Sequence, residues 1–154
     1  MTFQKLWFMI HISSSKNELL NYTNFKRGNN MCGIVGVVGN KNARDILMQG
    51  LEKLEYRGYD SAGIFVTNAA QNAKLIKSVG RIANLREKIG IEMAGTAGIG
   101  HTRWATHGKP SETNAHPHTS TDGRFVLVHN GGIESYLEIK NDYLAGDTFN
   151  GQTD

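Results

Sequence analysis

Between Cys32 and Val38 the chain reads Cys-Gly-Ile-Val-Gly-Val-Val, seven small or β-branched residues without a charge. A run of this kind is expected to be a strand buried on both faces. Burial on both faces demands a layer of structure on each side, so a layered fold with a sheet inside it is the expectation. The thirty residues before this run, MTFQKLWFMIHISSSKNELLNYTNFKRGNN, show no comparable organisation, and the chain divides at residues 30–32.

Downstream the pattern is regular. Asn42 is placed to cap a helix, with Asp45 in its first turn, and Ile46, Leu47, Leu51 and Leu54 follow at helical spacing. Residues 56–63, YRGYDSAG, form a glycine-punctuated loop that leads into a strand over 64–67. A hairpin through 68–73 returns on a strand over 74–79. Ile82, Leu85 and Ile89 mark a short helix closed by Gly90. A buried strand over 96–102, a polar loop over 103–123, a strand over 125–129 and a helix over 133–144 ended by Gly146 complete the pattern. The order β-α-β-β-α-β-β-α fits an α/β or α+β layered fold, and a loop of about twenty residues inside a compact domain is usually functional.

Charge narrows the function classes. The 17 basic residues are interleaved with 14 acidic ones, which gives a net charge of +3. No basic patch with aromatic platforms emerges, so a nucleic-acid partner is not expected. The longest apolar stretch, residues 6–12, is interrupted by His11 and falls far short of the roughly 20 residues that a membrane helix needs. A cytoplasmic location fits that composition. Five histidines (His101, His107, His116, His118 and His129) lack HExxH or paired CxxC spacing, and neither a metal nor another cofactor is expected.

Cys32 is the only cysteine, so it has no intrachain disulfide partner. A lone cysteine is by default a small core residue. Its neighbours supply a second reading. If Met31 is the start and is trimmed, Cys32 gains an α-amine with a pKa of about 7.7–8.0, a base beside its own thiol. Gly33 would leave room for a substrate carbonyl. Arg103, where a strand gives way to a loop, has a planar fork suited to a carboxylate, although a surface ion pair is the commoner fate of an arginine. Asn130 and the Gly131 N–H, at a strand end, could form an oxyanion hole or a plain Asn-Gly turn.

Taken together, CGIVG at 32–36, LEYRGYDSAG at 54–63, GHTRWATHG at 100–108 followed by Asn114-Ala-His-Pro-His118, and His129-Asn-Gly131 resemble the class II (N-terminal-nucleophile) glutamine amidotransferases. The resemblance covers residues 32–154 and is closest to the glutaminase domain of the glutamine–fructose-6-phosphate aminotransferase family. It implies an α+β fold, the four-layer αββα N-terminal-nucleophile hydrolase sandwich, here cut after roughly its first half. The amidophosphoribosyltransferases share the Cys-Gly-Ile start and the His-Asn-Gly, but usually carry Gln at the position of Tyr59.

The resemblance implies a role for each matching residue. Cys32 attacks the glutamine side-chain amide and forms a thioester, while Asn130 and Gly131 hold the oxyanion. Arg103, Thr106, His107 and Asp154 bind the substrate, Asp154 through its α-ammonium group. Trp104 closes a lid and guards the ammonia route, and Arg57 and Asp60 support the loop beside the nucleophile. In the full-length family protein, expected to be a homodimer, the ammonia converts fructose 6-phosphate to glucosamine 6-phosphate. The sugar isomerase region that would bind the sugar is not in this sequence. An inactive fragment of that enzyme is the alternative.

Two departures from the family pattern stand out. Gly132 and Ser135 replace an aliphatic residue and an Asn, and Gly near a helix start costs about 1 kcal/mol in propensity. Residues 1–31 form a leader that would deny Cys32 its free amine. Back-translation of Lys26-Arg27-Gly28-Asn29-Asn30-Met31 permits a purine-rich ribosome-binding tract before a start codon. The leader is therefore expected to lie upstream of the true start.

Overall fold

The computed structural model describes residues 32–68, 70 and 72–152, together with the backbone of residues 6–11. Eleven elements follow in chain order: strand β1 (Leu6–His11), β2 (Gly33–Val38), helix α1 (Ala43–Leu54), a 3-10 turn (Glu55–Arg57), β3 (Ser61–Thr67), β4 (Ala73–Val79), α2 (Ile82–Lys88), β5 (Ala97–Arg103), β6 (His118–Thr119), β7 (Phe125–Asn130) and α3 (Tyr136–Tyr143). All strand pairs are antiparallel. One sheet runs β2-β5-β3-β4 and the other β1-β7-β6. The fold is α+β, as the resemblance implied.

The pleat of β3 explains the layering. All seven of its residues are buried, and successive side chains point to opposite faces. Ala62, Ile64 and Val66 pack with Leu47 and Leu51 of α1 and with Ile82 and Leu85 of α2. Phe65, together with Ile99 of β5, packs the other way against Val126 and Val128 of β7. The result is a helical layer on the four-stranded sheet, and that sheet on the three-stranded one. Each of Leu47, Leu51 and Ile64 is fully buried, and burial of such a side chain contributes about 1.5–3 kcal/mol. Gly100 of β5 is where α1 comes nearest, since a Cβ there would lie 2.9 Å from Leu51 Cδ1 and 3.1 Å from Ile64 Cγ2.

The ends of elements depart from the sequence expectations in instructive ways. The Asn42 side chain caps α1 by accepting the Arg44 N–H at 3.2 Å. The buried face of α1 is Ala43, Leu47, Met48, Leu51 and Leu54. Ile46 is instead 36% exposed, because the stripe is set by contact with both β3 and α2. Helix α2 stops at Lys88, with Ile89 already extended. The long loop contains β6, a two-residue strand too short to show periodicity. Helix α3 begins at Tyr136 rather than at 133. Gly131 and Gly132 precede it, and its N-cap Ser135 makes no side-chain capping bond. No residue of α3 is buried, so a fourth layer is represented only by an uncovered helix. Leu6–His11, inside the expected leader, pairs with β7. No helix among the described residues is long and apolar enough to cross a membrane.

Candidate active site

Gly33 pairs with Thr102, which brings the residue before β2 to the end of β5. Cys32 stands there, half-buried, and its Sγ accepts the Trp104 N–H at 3.4 Å. The Cys32 carbonyl accepts two side-chain donors, Asn130 Nδ2 at 3.2 Å and Arg57 Nε at 3.3 Å. Three segments distant in sequence therefore meet at one residue: the 3-10 turn, the end of β5 and the end of β7. Burial pushes the thiol above its ordinary range. The Trp104 N–H, the Arg103 charge, the backbone of Cys32 itself and the Arg57 charge oppose that shift, in decreasing order. A nucleophilic sulfur reacts as the thiolate, so a thiol of this kind needs a base at hand.

Asp60 ties the surrounding loops together. Its carboxylate accepts the Ala105 N–H at 2.6 Å, its own N–H donates to the Arg103 carbonyl at 3.1 Å, and its carbonyl accepts the Gly80 N–H at 2.8 Å. The Trp104 ring lies edge-on to Tyr59, with centroids 5.4 Å apart. Arg103 is 4% exposed, and its guanidinium donates to the carbonyls of His107 and, at 3.1 Å, Gly108. Its fork thus shapes the loop that carries Thr106 and His107, both of which are exposed. Gly131, adjacent to Asn130, is exposed as well.

Asp154 lies outside the described residues. The tail just before it is held, since the Gln152 N–H donates to Asn114 Oδ1 at 2.7 Å. Asn114, 1% exposed, also donates through Nδ2 to the Lys109 carbonyl at 2.9 Å and takes the Ser111 hydroxyl on its N–H at 3.2 Å. The sequence reading passed over Asn114 and Thr102. Thr102 Oγ1 accepts the Gly33 N–H at 3.0 Å inside the core. A threonine in a strand carries no signal of such a bond, whereas a buried Asn amid a polar loop is a reason to look for one. The reading of Gly33 as a substrate opening is corrected. A Cβ there would meet Leu54 Cβ and Thr102 Oγ1, each at 2.8 Å, so the glycine serves packing.

Behind the site the histidines form a buried stack. His101 and His116 rings lie 4.4 Å apart, as do those of His116 and His118, and His101 Nε2 bonds the His129 carbonyl at 3.1 Å. Burial is the main cause that holds them neutral. It lowers His101 to about 3 and His118 to about 4, and the neighbouring cationic groups add to it. His116 is driven well below the ordinary range, by burial and then by His101. Among the described residues no three His, Cys, Asp or Glu side chains converge as a metal site. A cleft of about 290 Å³ lined by Arg44, Asp45, Met48, Gln49, Arg86, Ile89 and Ile91 shares no residue with the Cys32 site.

No family model matches the chain. Its relatives are nevertheless close. Over 124 residues it is 77% identical to the glutamine–fructose-6-phosphate aminotransferase (isomerizing) of Lactococcus lactis subsp. lactis, a match that covers 80% of this chain and 20% of that protein. The enzymes of the same name from Streptococcus pyogenes serotype M3 and Streptococcus mutans serotype c are 77% and 73% identical over the same extent. The chain therefore spans about a fifth of the length of the curated relatives it matches. Among solved structures, the glutamine phosphoribosylpyrophosphate amidotransferase from B. subtilis, complexed with ADP and GMP, superposes with a TM-score of 0.64 at 27% identity. That superposition covers 75% of this chain and 26% of that one. By sequence, by fold and by the thiol at the head of β2, the chain belongs to the class II glutamine amidotransferases, alongside the glutaminase part of the glutamine–fructose-6-phosphate aminotransferases.

Proposed function

We propose that the Cys32 site hydrolyses the side-chain amide of L-glutamine. The observation that carries this reading is the convergence of Asn130 Nδ2 and Arg57 Nε on the Cys32 carbonyl, beside a thiol that receives the Trp104 N–H. With Cys32 as first residue, its α-amine takes the thiol proton and the sulfur attacks the amide carbon. The oxyanion rests on Asn130 and the Gly131 N–H. The amine returns the proton to the leaving nitrogen, ammonia departs, and water then cleaves the thioester to release glutamate. Arg103 acts through the loop of Thr106 and His107 that receives the amino-acid end of the substrate, Asp154 meets the α-ammonium group, and Trp104 closes over the site.

In a full-length protein like the relatives, the ammonia would pass to fructose 6-phosphate and give glucosamine 6-phosphate, in a cytoplasmic homodimer. The 77% identity to proteins named for that sugar, against 27% to the phosphoribosylpyrophosphate enzyme, favours this acceptor. No nucleic acid, membrane or cofactor enters the scheme. The units that go with it are a leader over 1–31 and a partial amidotransferase domain over 32–154. The uncovered helix α3 favours a second reading, in which this stretch alone does not turn over. The test is glutamate release by a form that begins at Cys32, together with labelling by a glutamine-mimicking electrophile. Labelling at any residue other than Cys32 overturns the assignment.

A further inference from the structure

β7 is the central strand of its sheet and carries Val126, Val128 and His129 in buried positions, with Asn130 at its end. One edge pairs with the two residues of β6. The other pairs over its whole length with β1, from Leu6 opposite Asn130 to His11 opposite Phe125. The likeness to the relatives spans 124 residues, one more than the 123 from Cys32 to Asp154 (154 − 31), so it is accounted for without β1. Those relatives have about four-fifths of their length beyond the match. They therefore carry a six-residue β7 edge against a different occupant. An apolar central strand does not leave such an edge bare, because unpaired N–H and C=O groups recruit another strand. Helix α3, next in the chain, buries none of its residues and exposes Leu137 and Tyr143 at 56% and 80%. It is a second surface that a larger fold would cover.

We propose that the β7 edge is a strand-accepting slot, made for a strand from the part of the amidotransferase domain that follows the matched stretch in the relatives, and that β1 occupies it as an exchangeable stand-in. The bonds on offer are main-chain N–H and C=O groups, so the slot accepts any strand of suitable length. The apolar face of α3 supplies the preference for the domain's own segment.

The experiment uses the full chain and a polypeptide of the Lactococcus lactis relative that begins just after the matched stretch. Amide hydrogen exchange is followed at residues 6–11 and 125–130, and at 33–38 and 97–103 as a control for the rest of the fold. In the chain alone, β1 and β7 amides are expected to be protected together. Added polypeptide should bind, speed exchange in β1 by about tenfold or more and leave β7 protected. A Phe8→Pro, Met9→Pro double variant removes one ladder donor whichever phase the ladder has, and it should bind the polypeptide about tenfold more tightly than the parent chain. Binding with β1 still protected overturns the proposal, as does no binding to either form. If the double variant loses protection in the control strands, displacement of β1 in the parent chain decides the matter alone. None of these readouts depends on glutamine hydrolysis, so the slot and the activity stand or fall separately.

Discussion

Asn130 at the end of β7 and Cys32 at the head of β2 are joined across the two sheets, Asn130 Nδ2 donating to the Cys32 carbonyl at 3.2 Å. The amide thus helps place the nucleophile as well as standing where an oxyanion would form. Asn130→Ala should lower kcat for glutamate release by about 10²–10³-fold, the usual loss for one oxyanion donor. Asn130→Asp should be as poor, since it offers a carboxylate to a carbonyl and an oxyanion. Steady-state kinetics on both variants checks this. An unchanged kcat in Asn130→Ala would remove Asn130 from the machinery.

The thiol of Cys32 is pushed up in pKa mainly by burial. Its alkylation by iodoacetamide at neutral pH should therefore be slower than that of a free cysteine peptide. The rate should keep climbing past pH 9, the ordinary value, because the thiolate is the reacting form. Cys32→Ala should abolish both labelling and glutamate release. Intact-mass analysis of protein made in cells should find a product that starts at Cys32. A stable product that starts at Met1 would refute the reading of residues 1–31 as lying upstream.

The histidine stack predicts acid sensitivity with a definite sign. His101 and His118 are held neutral in the fold, at about 3 and about 4, whereas an unfolded chain takes up those protons near 6.5. Below that value the unfolded state binds more protons, so stability is complete above it and falls as pH drops toward 4. At pH 5 each such histidine costs about 2 kcal/mol. Thermal unfolding at pH 7.5 and pH 5 should show the midpoint several degrees lower at pH 5, and His118→Gln should shrink the difference. A midpoint independent of pH would mean that the stack is open to water.

Asn114 holds the tail through the 2.7 Å bond from the Gln152 N–H. Asn114→Ala should release that tail and leave the Lys109 carbonyl without its side-chain donor, at a cost of about 1–3 kcal/mol. Limited proteolysis should then cut between 144 and 152 several times faster than in the parent chain. If Asp154 meets the substrate ammonium, KM for glutamine should rise more than kcat falls. Equal proteolysis in the two forms would show that the tether does not hold in solution.

The elements that sequence reading recovered are those with strong periodicity and long contacts: β2, α1, the β3–β4 hairpin, β5 and β7. What it missed depended on partners far along the chain. β6 has two residues and exists because β7 passes beside it. β1 lies in a stretch with no pattern of its own and pairs across more than a hundred residues. At the site, Cys32, Arg57, Asp60, Trp104 and Asn130 come together from motifs that were visible individually. Arg103 stood out by type, yet its engagement with the His107 and Gly108 carbonyls depends on a loop conformation that no local pattern encodes.

The peptide unit that links Cys32 to Gly33 is clamped at both ends. Its oxygen takes Arg57 and Asn130, and its N–H gives to Thr102. With that plane immobilised, the chief freedom left to the nucleophile is rotation about the Cys32 Cα–Cβ bond. A staggered side chain has three wells there. The passage from a resting sulfur beside the Trp104 N–H to an attacking one is therefore a single rotamer hop, made without disturbing the main chain that carries it.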